Sequence, residues 1–361
     1  MKWTLIIIVF LMLTGFNDKT TDKPSVLTNQ DSLITIAYPE KELINFLDSV
    51  GKLNPDIWAN EVSFYPDSLF KNQKSLNNQL SETDFKTLKS GCKKKILAVD
   101  FVKRIFPDFQ PDTAYFKQEI EEGNLPVEFY SFDADEDEFK HFAIVPAYDD
   151  GYSWECLVYF FDQNKLVGEH KVYHRYGLDL EHFKDNDNKT VFYYRQNFQS
   201  GSGIWWYNYN FYKYSDNAII PVLNELQNAN LQYYWSVRSY WLETSIVTTN
   251  PLTLKMYYYN EFPDRIEGEP IQILEDSTEI IYNWDNHQNQ FIADFTNSKL
   301  DRYKILSYYL ADNELLFINS QYKLLKDLIA DKNQVKRQST LDYLNEVKNE
   351  YYRRQRVKAG Q

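Results

Sequence analysis

Apolar residues recur at helical spacing in the first third of the chain. Leu43, Phe46, Leu47 and Val50 are three or four residues apart, or adjacent, so that a helix would place them on one face. Further sets with the same spacing follow them. We therefore predict that residues 32–121 are mostly helical.

The pattern changes near residue 127 to short runs of aromatic and β-branched residues. Residues 139–145, 155–161 and 205–214 are examples, and Asp, Asn, Gly and Ser separate such runs. This arrangement is typical of strands joined by hairpin turns. It predicts an antiparallel β domain over residues 122–299.

Helical spacing returns in the last part of the chain, where Leu325, Leu328 and Ile329 belong to one amphipathic set. Residues 321–361 carry ten Lys or Arg against five Asp or Glu, a local charge of +5, which leaves −18 on the rest of a chain whose net charge is −13. The predicted fold class is α+β, with a helical basic tail at 300–361.

The chain also matches itself at an offset of 52 residues. The matched pairs include Asp133 with Asp185, Gly151 with Gly203, Trp154 with Trp206, Tyr159 with Phe211, Phe160 with Tyr212 and Val167 with Ile219. A period near 50 residues suits a unit of about four strands. We therefore predict two blade-like repeats near 133–168 and 185–220, arranged as in a propeller or a sandwich.

The acidic turns of the two copies resemble the Asp-x-Asp-x-Asp-Gly turn of FG-GAP and VCBS-type repeats, without its final glycine. Residues 133–137 read Asp-Ala-Asp-Glu-Asp, and residues 185–187 read Asp-Asn-Asp. In those repeats the turn precedes a strand and often holds calcium. The resemblance covers about residues 125–225 and implies an exported protein with propeller-blade-type repeats.

The same resemblance makes Asp133, Asp135 and Asp137 candidate calcium ligands. Calcium prefers carboxylate and carbonyl oxygens, which a run of aspartates can supply. The alternative is a solvated acidic turn that holds no metal.

Aromatic residues make up 17% of the chain, with 29 Tyr, 24 Phe and 8 Trp. Such residues favour strands, and their flat rings can stack on a sugar or a peptide. The candidates for a ligand-binding platform are Trp205, Trp206, Tyr207, Tyr209 and Trp235, with Trp241 in the later run. The alternative is that these rings pack in the core.

The N-terminus predicts export. Lys2 precedes the apolar run Trp3–Leu13, which has the length of a signal-peptide core and is short for a membrane span. We predict a signal peptide or tether at 1–16, a flexible leader at 17–31 and an extracytoplasmic location. Only the N-terminal segment, if it stays uncleaved, would contact a membrane. Phe16 stands where a lipidated cysteine would be, so a lipid anchor at that position is excluded.

Two cysteines occur in the chain, Cys92 and Cys156. In an oxidising compartment they could pair, and two free buried thiols are the other outcome. The sequence leaves both open.

The net charge and the motifs limit the classes of function that the sequence supports. The net charge of −13 disfavours nucleic acid, because binding to phosphates depends on clustered Lys and Arg. The sequence contains no phosphate loop and no nucleophile elbow. We predict a non-catalytic binding protein for a protein or glycan ligand, with calcium as its only candidate cofactor. The alternatives are a glycan-acting hydrolase and an inhibitor or immunity-type protein for a basic partner.

Overall fold

A computed structural model gives the fold of the protein. It describes residues 38–69, 73–106, 108–148, 154–173, 177–201, 203–232, 236–263, 268–310 and 313–359. The predicted signal segment at 1–16, the predicted leader at 17–31 and the candidate residue Trp235 lie outside the described residues.

Helices lie at both ends of the described chain. They are α1 (Glu40–Gly51), α2 (Asp56–Leu69), α3 (Glu82–Lys94), α4 (Val99–Ile105), α5 (Lys117–Glu121), α6 (Arg302–Leu306), α7 (Asn313–Ser320), α8 (Tyr322–Ile329) and α9 (Gln334–Ala359). Among the residues described, no helix combines the length and the apolar character that crossing a bilayer requires.

Antiparallel strands occupy the middle of the chain. They are β1 (Gln73–Gln79), β2 (Ile96–Ala98), β3 (Asn124–Ser131), β4 (His141–Pro146), β5 (Glu155–Asp162), β6 (Lys165–Tyr173), β7 (Leu180–Lys184), β8 (Thr190–Gln199), β9 (Trp205–Ser215), β10 (Ala218–Leu231), β11 (Ser239–Thr249), β12 (Leu252–Phe262), β13 (Ile271–Asp285) and β14 (Gln290–Asp294). The predicted α+β class is confirmed.

The strands form two open sheets. The six-stranded sheet has the order β1-β6-β5-β4-β3-β2, and the eight-stranded sheet runs in chain order from β7 to β14. Most sequential strands are therefore neighbours, as short hairpin connections require.

Strand β1 falls in the region predicted to be mostly helical. Its sequence, Gln-Lys-Ser-Leu-Asn-Asn-Gln, has no alternation of apolar and polar residues. It pairs with β6, where Lys74 lies opposite Glu169 with its Nζ 2.8 Å from the carboxylate. Pairing with a neighbouring strand thus decides the conformation of a segment whose own pattern specifies no strand.

The two sheets share an aromatic core. Phe160 and Val167 enter it from the six-stranded sheet, and Phe192 and Tyr212 enter it from the eight-stranded sheet. Phe132 lies between them, with its ring parallel to that of Phe192 and the two ring centroids 5.1 Å apart. Large rings from both inner faces therefore hold the sheets together.

Some residues matched at the 52-residue offset occupy equivalent places in two four-stranded meanders, β3–β6 and β7–β10, but exposed Trp154, just before β5, and buried Trp206, within β9, do not. Phe160 on β5 and its match Tyr212 on β9 both lie in the core between the sheets. Tyr159 and its match Phe211 lie in two other cores. The same alternation of side chains therefore builds both units.

Helices add further cores to the two sheets. Leu88 of α3 and Val102 of α4 lie in one core with Tyr159 of the six-stranded sheet. Ile305 of α6 and Met256 of the eight-stranded sheet lie in another. Each sheet is thus packed against helices as well as against the other sheet.

The basic helix α9 packs on the acidic helix α1. Leu47 of α1 and Leu344 of α9 are fully buried in one core. At the surface, Lys348 Nζ lies 2.8 Å from Glu42 Oε2. Residues from 37 onward form one compact unit, to which both end helices belong.

The two cysteines are free. Cys92 and Cys156 belong to different cores of the six-stranded sheet. Burial raises the pKa of the Cys92 thiol to about 12, so this thiol stays protonated and unreactive at neutral pH.

Candidate ligand-binding face

Strand β9 carries four of the five predicted ligand-binding residues. Because side chains alternate along a strand, Trp205, Tyr207 and Tyr209 lie on one face and Trp206 lies on the other. Trp206 is 3% exposed, and its ring stacks on Phe198 with the centroids 4.1 Å apart. The structure therefore places Trp206 in the core, away from the other three.

Neighbouring strands bring further rings beside Trp205. Asn230 of β10 lies opposite Trp205 on one side and Trp241 on the other. Trp241 in turn lies opposite Tyr259 of β12. The rings of Trp205 and Trp241 meet across Asn230 with their centroids 5.4 Å apart and their planes at 85°. Strand pairing thus aligns three rings that are far apart in sequence.

A second row lies two residues further along each strand. Asn228 lies opposite both Tyr207 and Glu243, and Glu243 lies opposite Tyr257. Tyr257 is 37% exposed. The two rows form a surface that we call the aromatic face: Trp205, Tyr207, Trp241, Tyr257 and Tyr259, with Asn228, Asn230 and Glu243.

Tyr207 supports the outer rings of the aromatic face. The Trp205 ring stacks on it with centroids 4.8 Å apart and planes only 16° from parallel. The Arg195 guanidinium also lies over the Tyr207 ring, 4.8 Å from its centroid, and the Gln199 amide donates to its hydroxyl at 2.7 Å. These contacts fix the orientation of Trp205, which is the half-buried ring above them.

Side-chain amides lie between the rings. Within the described part of the chain, no hydrogen-bond partner is present for the side-chain carbonyl oxygens of Asn228 and Asn230 or for the amide of Asn197. Asn197 lies opposite Tyr207, on the same face. Buried polar atoms normally have a partner. These particular atoms are buried, so a ligand on the surface would contact only the accessible remainder of the half-buried Asn228 and Asn230 side chains.

The hydroxyl groups of the face differ in their surroundings. The Tyr257 hydroxyl donates to Glu275 Oε1 at 2.7 Å, and this hydrogen bond raises the pKa of Tyr257 to about 12. Tyr209 lies further along β9, where its ring packs edge-on to Tyr193 with centroids 5.8 Å apart. Burial raises the pKa of Tyr209. Tyr209 therefore borders the core and is not part of the aromatic face.

The predicted calcium ligands organise the turn before β4. The Asp133 carboxylate accepts the backbone N–H of Lys140 at 2.7 Å, and Asp135 accepts that of Asp137 at 2.9 Å. Asp137 itself forms an ion pair with Lys93 at 2.5 Å. No cluster of three or more His, Cys, Asp or Glu with a metal-binding arrangement occurs in the described ranges. Calcium binding at this turn stays a prediction.

Five members of the aromatic face are not among the residues predicted from sequence: Tyr257, Tyr259, Asn228, Asn230 and Glu243. The signal of the two tyrosines is present as alternation, since Tyr257 and Tyr259 are two residues apart on one strand. The register that sets them beside Trp241 joins β11 to β12 and has no local signature.

Comparison with known proteins gives no match: no family model, no curated protein and no solved structure is similar to this chain.

Proposed function

We propose that the protein is a non-catalytic carbohydrate-binding protein and that the aromatic face holds the glycan. One observation carries this proposal. The rings of Trp205, Trp241 and Tyr259 occupy neighbouring positions on one sheet face, with half-buried Asn230 between the two tryptophans and half-buried Asn228 between Tyr207 and Glu243. Predicted export fits this role, because it would bring the protein to glycans outside the cytoplasm.

The chemistry of sugars explains why such a face suits them. A pyranose ring has an apolar C–H surface that packs on an aromatic ring, and it has hydroxyl groups that donate and accept hydrogen bonds. Asparagine side chains both donate and accept, so they complement hydroxyl groups without carrying charge. The sheet holds the rings in fixed register, which reduces the entropy lost when a ligand binds.

Two carboxylates at the aromatic face allow the hydrolase alternative to be tested. Glu243 lies opposite Tyr257, and Glu275 accepts the hydrogen bond of the same tyrosine. A glycoside hydrolase needs two carboxyl groups on either side of the scissile bond. If the protein releases reducing ends from a glycan, and Glu243→Gln and Glu275→Gln each stop it, the hydrolase replaces the binding protein.

The two four-stranded meanders also belong to the proposal. We infer that β3–β6 and β7–β10 are diverged copies of one blade-like unit, as the matched positions Phe160 and Tyr212 suggest by sharing one core. The likeness to FG-GAP and VCBS-type repeats remains a hypothesis about the origin of this unit. Fold analogy of this kind does not establish the ligand.

Glycan binding can be measured by isothermal titration calorimetry of the purified chain with cello-oligosaccharides, xylan, mannan, laminarin and peptidoglycan fragments. We expect at least one to bind and Trp241→Ala to weaken that binding at least tenfold, because a central aromatic contact typically contributes about 1.4 kcal/mol or more. Trp154 is 49% exposed and lies just before β5. The matched variant Trp154→Ala should bind like the wild type.

Two results would count against the proposal. Binding that Trp154→Ala weakens as much as Trp241→Ala would mean that the aromatic face is not the site. Absence of binding to all five glycans, with saturable binding to a basic protein such as lysozyme, would favour the inhibitor instead.

A further inference from the structure

Three carboxylates surround the pair Tyr257 and Tyr259 of the aromatic face. Glu243 of β11 lies opposite Tyr257, and Glu275 of β13 lies opposite Tyr259. Glu261 follows Tyr259 by two residues on β12, so that both side chains point to the same side of the sheet. Side chains opposite each other on paired strands are neighbours, with Cβ atoms about 4.5–5.5 Å apart. The two tyrosine rings thus have a carboxylate on each of three sides.

The protein supplies no cationic partner for these three carboxylates. Glu275 accepts the Tyr257 hydroxyl and, at 2.8 Å, the Gln272 amide, both of which are uncharged groups. Among the described residues, no Lys or Arg forms an ion pair with Glu243, Glu261 or Glu275. Glu243 and Glu275 are exposed, and Glu261 is half-buried. The negative charge around the tyrosine rings is therefore not neutralised within the described chain.

Two cations lie on the same side of the sheet, and neither neutralises the three carboxylates. Arg195 belongs to β8, four strands from β12, and its guanidinium lies over the Tyr207 ring. Lys255 is two residues from Tyr257 on β12, and it lies opposite Glu279 of β13, whose negative charge balances its own. Around Tyr257, carboxylates thus outnumber the described cations.

The charges of the aromatic face distinguish one class of glycan from another. The hydroxyl groups of a neutral sugar can donate to a carboxylate, but they leave its charge unbalanced where the sugar has displaced water. An anionic sugar would be repelled. An ammonium group would pair with the carboxylates and would also be attracted to the faces of the aromatic rings. The pyranose ring that carries the ammonium group still offers its C–H surface to the same rings.

We infer that the aromatic face binds a cationic glycan, built from amino sugars whose amino groups are free. This inference rests on the proposed function, because it names the class of glycan that the aromatic face holds. The carboxylates of Glu243, Glu261 and Glu275 bind the ammonium groups, and Trp241 and Tyr259 support the sugar rings. Binding then depends on salt, since a higher ionic strength screens charges at an exposed surface.

Calorimetry with four matched ligands tests the inference. The chitosan tetramer, a chain of four glucosamines, is compared with its fully N-acetylated form and with cellotetraose, neither of which has an ammonium group. A tetralysine peptide has ammonium groups and no sugar ring. At a pH of about 6 the amines are protonated and the carboxylates are ionised. We expect the chitosan tetramer to bind at least tenfold more tightly than each of the other three ligands. Raising the salt concentration from about 0.05 M to about 0.5 M should weaken its binding at least threefold.

Three variants locate the binding site. Glu243→Gln removes a carboxylate and keeps the size of the side chain, so it should weaken binding of the chitosan tetramer at least fivefold. The matched control is Glu279→Gln, which removes an exposed carboxylate that lies opposite Lys255 and should leave the binding within twofold of the wild type. Trp241→Ala should weaken the binding at least tenfold. Thermal unfolding checks that each variant is folded.

Two results would overturn the inference and leave the proposed function standing. One is binding of cellotetraose, the N-acetylated tetramer or another neutral glycan that is as tight as binding of the chitosan tetramer and that Trp241→Ala weakens. The other is binding of the chitosan tetramer that Trp241→Ala weakens, but that Glu243→Gln weakens no more than Glu279→Gln does.

Two other results would overturn the proposed function together with the inference. If no glycan binds, the aromatic face is not a glycan site. If tetralysine binds as tightly as the chitosan tetramer, the face recognises charge without recognising sugar, and a basic protein is the partner.

Discussion

Arg238 is a fully buried charge that ties four parts of the molecule together. Its guanidinium donates to Glu314 at 3.0 Å, to the Asn260 side chain at 2.7 Å and to the Ser307 carbonyl at 2.7 Å. The Tyr343 hydroxyl of α9 donates to the same Glu314 oxygen at 2.7 Å. Such a group is stable only because every contact is made at once.

Replacing Arg238 should therefore destabilise the protein strongly. We expect Arg238→Met to lower the free energy of unfolding by about 3–5 kcal/mol, since the Glu314 carboxylate loses its counter-charge and the Asn260 side-chain oxygen loses its donor. Denaturation by urea, followed by tryptophan fluorescence, gives this value. The matched variant is Lys299→Met, which breaks the exposed ion pair with Asp276 and should cost less than about 1 kcal/mol. Equal losses for the two variants would refute the structural role of Arg238.

The sequence pattern predicts the environment of some residues and not of others. Alternation along β9 suffices to separate Trp206 from Trp205 and Tyr207, because neighbours on a strand point to opposite faces. Nothing local indicates that Arg238 is buried, since its partners Asn260 and Glu314 are 22 and 76 residues away. A residue whose environment is built by distant segments has no signature in its own neighbourhood.

At the scale of strands and sheets, the two sheets are tightly packed at Gly168. A Cβ atom added there would lie 2.5 Å from Cδ1 of Ile219. Gly168 belongs to β6 of the six-stranded sheet, and Ile219 belongs to β10 of the other. The glycine thus allows Ile219 to fill the space between the two meanders.

This contact predicts coupled substitutions. Gly168→Val should cost about 1–3 kcal/mol through overpacking, and Ile219→Ala should cost about 2–5 kcal/mol through the cavity that it leaves. The double variant should lose at least about 0.5 kcal/mol less than the sum, because the valine occupies the space that the isoleucine vacates.

The control for this double-mutant cycle combines Gly168→Val with Ile280→Ala, because the Ile280 side chain is also fully buried but lies in another core. The losses in the free energy of unfolding from these two substitutions should add within about 0.5 kcal/mol. If the free-energy losses of Gly168→Val and Ile219→Ala also added, the contact between these two residues would be contradicted.

The sequence predicts where strands form better than it predicts which strands pair with each other. Runs such as 155–161 and 205–214 become β5 and β9, because alternating aromatic residues already fit a half-buried strand. The segment of β1 has no such pattern and forms a strand only against β6. The aromatic face lies between these cases: Trp205 and Tyr207 are on a strand that the sequence predicts, but the register of four strands decides which rings meet.

At the scale of the whole molecule, the packing of α9 on α1 joins the two ends of the described chain. The buried hydrophobic side chains of α9 are Leu341, Tyr343, Leu344 and Val347, and they share one core with α1 and α8. Beyond them, residues 353–358 are exposed. Helix α9, the last part of the predicted basic tail, thus has a buried half that packs on α1 and an exposed end that carries four of its seven Lys and Arg residues.

Two truncations separate these halves. Removing residues 353–361 should change the free energy of unfolding by less than about 1 kcal/mol, because the described side chains that it removes are exposed. Removing residues 340–361 takes away four buried hydrophobic side chains, each worth about 1.5–3 kcal/mol, and also removes the Tyr343 hydrogen bond to Glu314 beside Arg238. That loss is comparable with the entire stability of an ordinary domain, so the longer truncation should give no cooperative thermal transition. Circular dichroism during heating distinguishes the two. If the longer truncation still unfolds cooperatively near the temperature of the full chain, α9 is an appendage, and the sheets do not depend on the helices at the ends of the chain.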